Sequence, residues 1–139
     1  MALRRDAKIE LLKRVPLFGE CSKAELRRLA TIADEIDLRE GAVLTREGRI
    51  GHEFFVLVEG MVRVTRDGRK LADLTAGDWL GEIALLTKAP RTATAVATSP
   101  VRALVMVDRE FRRVVDDMPT IAMKVLSCVA VRLSRQPQS

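Results

Sequence analysis

The sequence predicts an α+β chain that is mainly β, an antiparallel jelly-roll barrel with helices before and after it. Three observations predict this. Apolar residues near both ends recur at helical spacing, whereas those in the middle form short runs between turns. The turns, Glu40-Gly41, Glu47-Gly48, Glu59-Gly60, Asp67-Gly68 and Ala76-Gly77-Asp78, come at intervals that suit many short strands. A chain of 139 residues, 47% of them apolar, is long enough for one core and short for two. We read one domain over 1–139: N-terminal helices over 1–35, a β-roll over 36–107 and two C-terminal helices over 108–135.

Each element follows from local chemistry. Ile9, Leu11, Leu12 and Val15 form a helical stripe that Pro16 stops. Ser22 and Glu25 form a capping box, and Leu26, Leu29, Ala30 and Ala33 continue that helix. Phe54–Val58 and Met61–Val64 flank Glu59-Gly60 with almost no linker, which predicts a hairpin. Arg69–Leu74, Thr92–Ala97 and Val101–Val107 read as further strands. Asp108 caps a helix through Val115, and Pro119 suits the first turn of a second one. That last helix carries Ile121, Val125, Cys128, Val129 and Leu133 on one face, with Met123, Leu126 and Ala130 on another. A helix apolar on two sides must be covered on two sides, by the barrel and by a ligand or protein partner.

Composition narrows the setting. No run of about 18 apolar residues is present to cross a bilayer, and Met1–Asp6 is not followed by the apolar stretch of a secretory signal. Cys21 and Cys128 lie far apart without metal spacing and read as free thiols of a cytoplasmic protein. The formal charge of +5 is scattered as single Arg and Lys residues, so it reads as solvated surface, not a nucleic-acid-binding tail.

One segment, residues 81–94, breaks the strand rhythm. Ile83–Leu86 reads as a single helical turn begun by Gly81, and the N-terminus of such a turn offers unpaired N–H groups that favour an anion. Gly81 lets a ligand approach the backbone. Arg91, after Pro90, presents a planar fork that matches two phosphate oxygens and stays charged. Glu82 would repel a phosphate but can accept hydrogen bonds from the hydroxyls of a neighbouring sugar. Ala84 and Ala93 leave room for a ring.

The segment Gly81-Glu82-Ile83-Ala84-Leu85, then Pro90-Arg91-Thr92-Ala93-Thr94, resembles the phosphate-binding cassette of cyclic nucleotide-binding domains. These occur in catabolite-activator-type regulators, cyclic-nucleotide-dependent kinases and gated channels. Gly48, Gly51, Phe55, Gly60, Val62, Val64 and Gly77 follow the same family's barrel pattern, and the resemblance covers roughly residues 15–135. His52 and Leu80 depart from it, standing where the family often has an acidic and an aromatic residue. The resemblance implies that Glu82 holds the ribose 2′-hydroxyl and Arg91 the exocyclic phosphate oxygens. Backbone N–H groups of Ile83 and Ala84 help the phosphate, and Thr92 and Ala93 line it from the far side. It implies a non-catalytic regulatory sensor for cAMP or cGMP in signal transduction, with 108–115 as a hinge and 119–135 as a lid whose Cys128–Leu133 stretch caps the purine. A hydroxyl residue after the cassette arginine can bond the guanine 2-amino group or the phosphate. Thr92 thus permits cGMP without requiring it, and we favour cAMP.

Other chemistries have little to stand on. Taken singly, Glu82 is an acid at a helix start and Arg91 a surface charge; their joint spacing carries the ligand reading. One histidine, His52, makes no metal site, and Asp116-Asp117 read as a solvated helix end. No Gly-x-Ser-x-Gly, Cys–His or His-Glu-x-x-His pattern is present, so no catalytic residue is assigned. The alternative is a ligand-independent nucleic-acid-binding or dimerisation protein on the same fold. Arg63, Arg66, Arg69 and Lys70 would supply its charge, although few aromatics are available to stack bases. Dimerisation through the last helix is a second use of its apolar strips. No kinase, channel or helix-turn-helix segment accompanies the domain in these 139 residues, which fits a stand-alone sensor and a piece of a larger protein equally.

Overall fold

Proline at position 16 divides the N-terminal helical region into pieces. In the computed structural model, which describes residues 3–134, helix α1 spans Arg5–Lys13 and buries Ile9 and Leu12. Pro16–Phe18 then form one 3₁₀ turn, because proline cannot extend a helix but fits the first position of a new turn. Helix α2, Lys23–Thr31, begins with the expected capping box. Ser22 Oγ accepts from the Glu25 amide at 3.1 Å, and Glu25 Oε1 accepts from the Ser22 amide at 2.7 Å.

Eight strands follow: β1 (Asp34–Leu38), β2 (Val43–Thr45), β3 (Glu53–Glu59), β4 (Val62–Arg66), β5 (Arg69–Leu74), β6 (Trp79–Leu80), β7 (Thr94–Ala97) and β8 (Val101–Val107). They form two antiparallel four-stranded sheets, in the orders β1-β8-β3-β6 and β2-β7-β4-β5. The barrel is therefore a jelly-roll pair of sheets, without a continuous ring of strand pairing. Both sheets feed one interior, where Leu57, Val62, Ala95, Ala97, Val101 and Ala103 pack together.

The structure corrects the expected hairpin at Glu59-Gly60. Strand β3 pairs with β8 and β6, whereas β4 pairs with β5 and β7, so the chain changes sheets at Gly60. Gly60 has φ 99°, and a Cβ there would stand 2.9 Å from Val101 Cα; only glycine turns this corner beside β8. The true hairpin joins β4 to β5 through Asp67-Gly68, both with positive φ (52° and 78°), as a tight primed turn requires. The seventh strand also starts two residues later than expected.

Helices α3 (Asp108–Asp117) and α4 (Pro119–Ser134) close the fold. Asp108 is the first residue inside α3, not its cap; Val107 holds that position. A second core lies between the helices and the first sheet, built on Phe18, Leu29, Phe54, Met106, Phe111 and Ile121. Phe18 meets Phe54 edge-on, with ring centres 6.0 Å apart. The side chains of Arg132 and Leu133, and residue Arg135, lie outside the described residues.

Candidate ligand-binding site

The break in strand rhythm after Leu80 becomes a 3₁₀ turn over Glu82–Leu85, entered through Gly81 at φ 84°. Its buried Ala84 and Leu85 anchor it, while Ile83 is exposed. Beside it opens a cavity of about 350 Å³ that all seven expected residues border: Gly81, Glu82, Ile83, Ala84, Arg91, Thr92 and Ala93. That volume suits a small organic ligand, since such sites span roughly 300–1,000 Å³. Thr45, Val64, Arg66, Leu71 and Leu80 line it from the sheets.

Arg91 is held by backbone. Its own N–H donates to the Arg49 carbonyl and its carbonyl accepts from the Gly48 N–H, each at 2.8 Å. Its Nη2 donates to the Glu53 carbonyl at 2.5 Å. The guanidinium lies across two glycines. A Cβ on Gly81 would stand 2.5 Å from Nη1 and 2.7 Å from the Glu53 carbonyl, and one on Gly51 would collide with the guanidinium itself. Burial pulls the Arg91 pKa below the ordinary arginine value, and the Glu53 carboxylate partly opposes this. The group still remains a cation near neutral pH. Its Nε is buried with no hydrogen-bond partner among the described residues. Nε lies on the Gly51 side and Nη1 on the side of Gly81, which borders the cavity; a half-buried cation in the cavity wall suits an anionic group there.

Neighbouring contacts fix the wall. Thr45 Oγ1 donates to the Ala93 carbonyl at 3.1 Å, and Arg66 Nε donates to the Thr92 carbonyl at 2.9 Å. These bonds fix the backbone of Thr92 and Ala93 just before β7 begins at Thr94. Thr92 is exposed.

The profile of the family described as "Cyclic nucleotide-binding domain" matches residues 35–118. The chain belongs to the cyclic nucleotide-binding domain family. Among curated relatives, a cAMP-dependent protein kinase regulatory subunit from Mycosarcoma maydis is 38% identical over 130 residues, covering 85% of this chain and 24% of that protein. The chain therefore spans about a quarter of that relative's length. Among solved structures, the N-terminal domain of a transcriptional regulator from Streptomyces coelicolor A3(2) superposes with a TM-score of 0.81 at 31% identity, covering 90% of each chain. The catabolite activator protein of Thermus thermophilus gives 0.71 at 26% identity, covering 86% of this chain and 58% of that one.

Within this cyclic nucleotide-binding domain, the expected lid stands away from the cavity. None of the described α4 residues borders it. Ile121 and Val125 are buried in the helical core, and Cys128 Sγ donates to the Pro16 carbonyl at 3.1 Å. Among the described residues no group of histidine, cysteine, aspartate and glutamate side chains is placed to hold a metal ion. No helix among them is long and apolar enough to cross a membrane.

Sequence reasoning missed three features. Gly51, named only for the family's barrel pattern, lies against the Arg91 guanidinium, and the Glu53 carbonyl that seats Arg91 carries no local signature. His52, set aside as a lone histidine, has its Nδ1 3.1 Å from Asp108 Oδ2 at the start of α3. Glu25 is more than a capping residue. It is 3% exposed and also accepts from Thr120 Oγ1 and Lys124 Nζ on α4, each at 2.5 Å. Burial alone would raise the Glu25 carboxyl, but these donors and Ser22 outweigh it and hold the pKa at about 2.

Proposed function

We propose that this chain binds a cyclic nucleotide, cAMP in preference to cGMP, as a non-catalytic regulatory sensor. The observation that carries the reading is the Arg91 guanidinium, seated on the Glu53 carbonyl in the wall of a cavity that Gly81 and the Glu82–Leu85 turn also border. In this reading Arg91 takes the exocyclic phosphate oxygens as a charge-assisted fork. The Ile83 N–H adds to the phosphate; that of Ala84, which donates to the Gly81 carbonyl at 3.0 Å, adds to it as a shared donor, and Glu82 accepts from the ribose 2′-hydroxyl. Gly81 admits the ring to the backbone, and Thr92 and Ala93 border the phosphate from the other side. The relatives named for cAMP-dependent regulation support the class of ligand.

The output runs through the helices. Helix α3 is the hinge, and α4 the element that responds to ligand. The exposed Met123, Leu126 and Val131 of α4 support contact with a protein partner or a second copy of this chain. The test is calorimetric titration of the nucleotide-stripped chain with cAMP and cGMP, with Arg91→Ala as control. Micromolar or tighter binding of cAMP that the substitution abolishes is the expected result. A folded chain that binds neither nucleotide would overturn the reading.

A further inference from the structure

His52 stands between the two residues that seat Arg91. Gly51, on one side, lies against the guanidinium, and Glu53, on the other, gives its carbonyl to Nη2. His52 is also tied to α3 twice. Its carbonyl accepts from the Asp108 N–H at 2.9 Å, and its Nδ1 faces Asp108 Oδ2 at 3.1 Å. A third bond runs to the next residue, from the His52 amide to Glu53 Oε1 at 3.0 Å. Facing a carboxylate at that distance, Nδ1 must be the protonated nitrogen.

We propose that His52 is a positioning residue for Arg91: it braces the Gly51–Glu53 seat against the first residue of α3, and protonation of its imidazole tightens that brace. This rests on the nucleotide reading above. The brace is chemically asymmetric. The Asp108 side chain is only 11% exposed, whereas that of His52 is 55% exposed and reachable by solvent protons. Neutral imidazole can donate from Nδ1 in only one tautomer, whereas imidazolium always donates and adds a charge-assisted bond. The charged groups around the pair are Asp108 itself, Arg112 one turn along α3, Glu53 at the start of β3, and Arg91 across Gly51. Burial pushes the Asp108 carboxyl up, but His52, the Arg109 backbone N–H and Arg112 outweigh it and keep it below the ordinary carboxylate range. Asp108 thus stays an anion throughout the window in which an imidazole titrates. Tightening the seat and adding positive charge near a phosphate act in the same direction, so nucleotide affinity rises as pH falls.

The experiment compares cAMP affinity at about pH 6 and about pH 8 for the full chain, His52→Asn and His52→Ala. The Asn amide nitrogen takes the place of Nδ1 but cannot gain a charge. The unaltered chain should bind about two- to fivefold more tightly at the lower pH, the range of a half-exposed ion pair. His52→Asn should keep the affinity of the higher pH and lose the dependence, and His52→Ala should bind more weakly at both. Parallel pH profiles for the unaltered chain and His52→Asn would overturn the proposal. Hydrogen exchange of the Asp108–Arg112 amides in nucleotide-free protein gives a second readout. Faster exchange in His52→Ala, restored in His52→Asn, supports the brace, and unchanged exchange in His52→Ala overturns it. If none of the three binds either nucleotide, the nucleotide reading fails separately, and the exchange data alone decide whether the brace exists.

Discussion

Replacing Glu25 by Gln removes one charge from the joint between α2 and α4 while keeping its volume. The carboxylate is 3% exposed and accepts from Lys124 Nζ, Thr120 Oγ1 and the Ser22 backbone N–H. Its pKa stands at about 2 against an ordinary 4.5. At about 1.4 kcal/mol per tenfold change, that difference corresponds to about 3 kcal/mol of stability. Because the folded pKa is depressed, the contribution is fully present above about pH 4.5 and is lost as pH falls towards about 2. Gln still accepts one hydrogen bond, so Glu25→Gln should cost about 2–3 kcal/mol at neutral pH. Urea unfolding followed by the emission of the single tryptophan, Trp79, measures this directly. The deficit relative to the unaltered chain should shrink steadily on acidification. A variant as stable as the parent at neutral pH would refute the reasoning. So would a deficit that persists unchanged at low pH, since it would not come from the ionised carboxylate.

Further expectations concern the cavity. Gly81→Ala forces a side chain into a left-handed position and against Nη1 of Arg91; it should lower Tm by about 3–8 °C and cAMP affinity by at least about tenfold, and normal binding by scanning calorimetry and titration would argue that Arg91 is not the phosphate ligand. Glu82→Gln should weaken cAMP about 10- to 100-fold, the worth of a hydrogen bond to a charged group. The 2′-deoxy analogue should lose affinity for the parent chain but little more in the variant, and full additivity of the two losses would separate Glu82 from the ribose. Thr92→Ala should weaken cGMP about tenfold and cAMP at most about threefold; equal losses in competition binding would assign the hydroxyl to the phosphate instead.

What could be read from the sequence was what lies close together along it. The cassette packs its glycine, acid, base and small residues into residues 81–94, and all seven expected residues border one cavity. The Ser22–Glu25 capping box, four residues long, was equally visible. What escaped depends on distant partners. The carbonyl that seats Arg91 lies 38 residues upstream and, being backbone, has no residue signature. The two α4 donors to Glu25 lie 95 and 99 residues downstream. Gly60 was misread because glycine between two short apolar runs looks the same in a hairpin and at a corner. The difference lies in β8 and β6, which claim both edges of β3 and leave β4 to the other sheet. His52 was weighed only as a metal ligand, and the carboxylate it meets is 56 residues away.

The position of the cassette between two cores suggests how a bound ligand would be felt elsewhere. Leu80, just before Gly81, packs on the interior shared by the two sheets, whereas Leu85, at the end of the short turn, belongs to the helical core with Phe111, Val114, Ile121 and Val125. On the proposed reading, a displacement of the Glu82–Leu85 turn would be resisted by the sheets at one end and felt by α3 and α4 at the other. A ligand shifts such an equilibrium only by its differential affinity for the two arrangements. The opposing element is the α2–α4 joint, where a buried carboxylate must release a lysine and a threonine before α4 can leave. Buried ion pairs add little stability over an apolar packing of the same shape but penalise every arrangement that separates them. On the proposed sensor reading, Glu25 would set the threshold for moving α4, while the Leu85 contact would set how strongly the cavity can push against it. Glu25→Gln should therefore raise nucleotide affinity even as it lowers stability, and a parallel fall in both would place α4 outside the response.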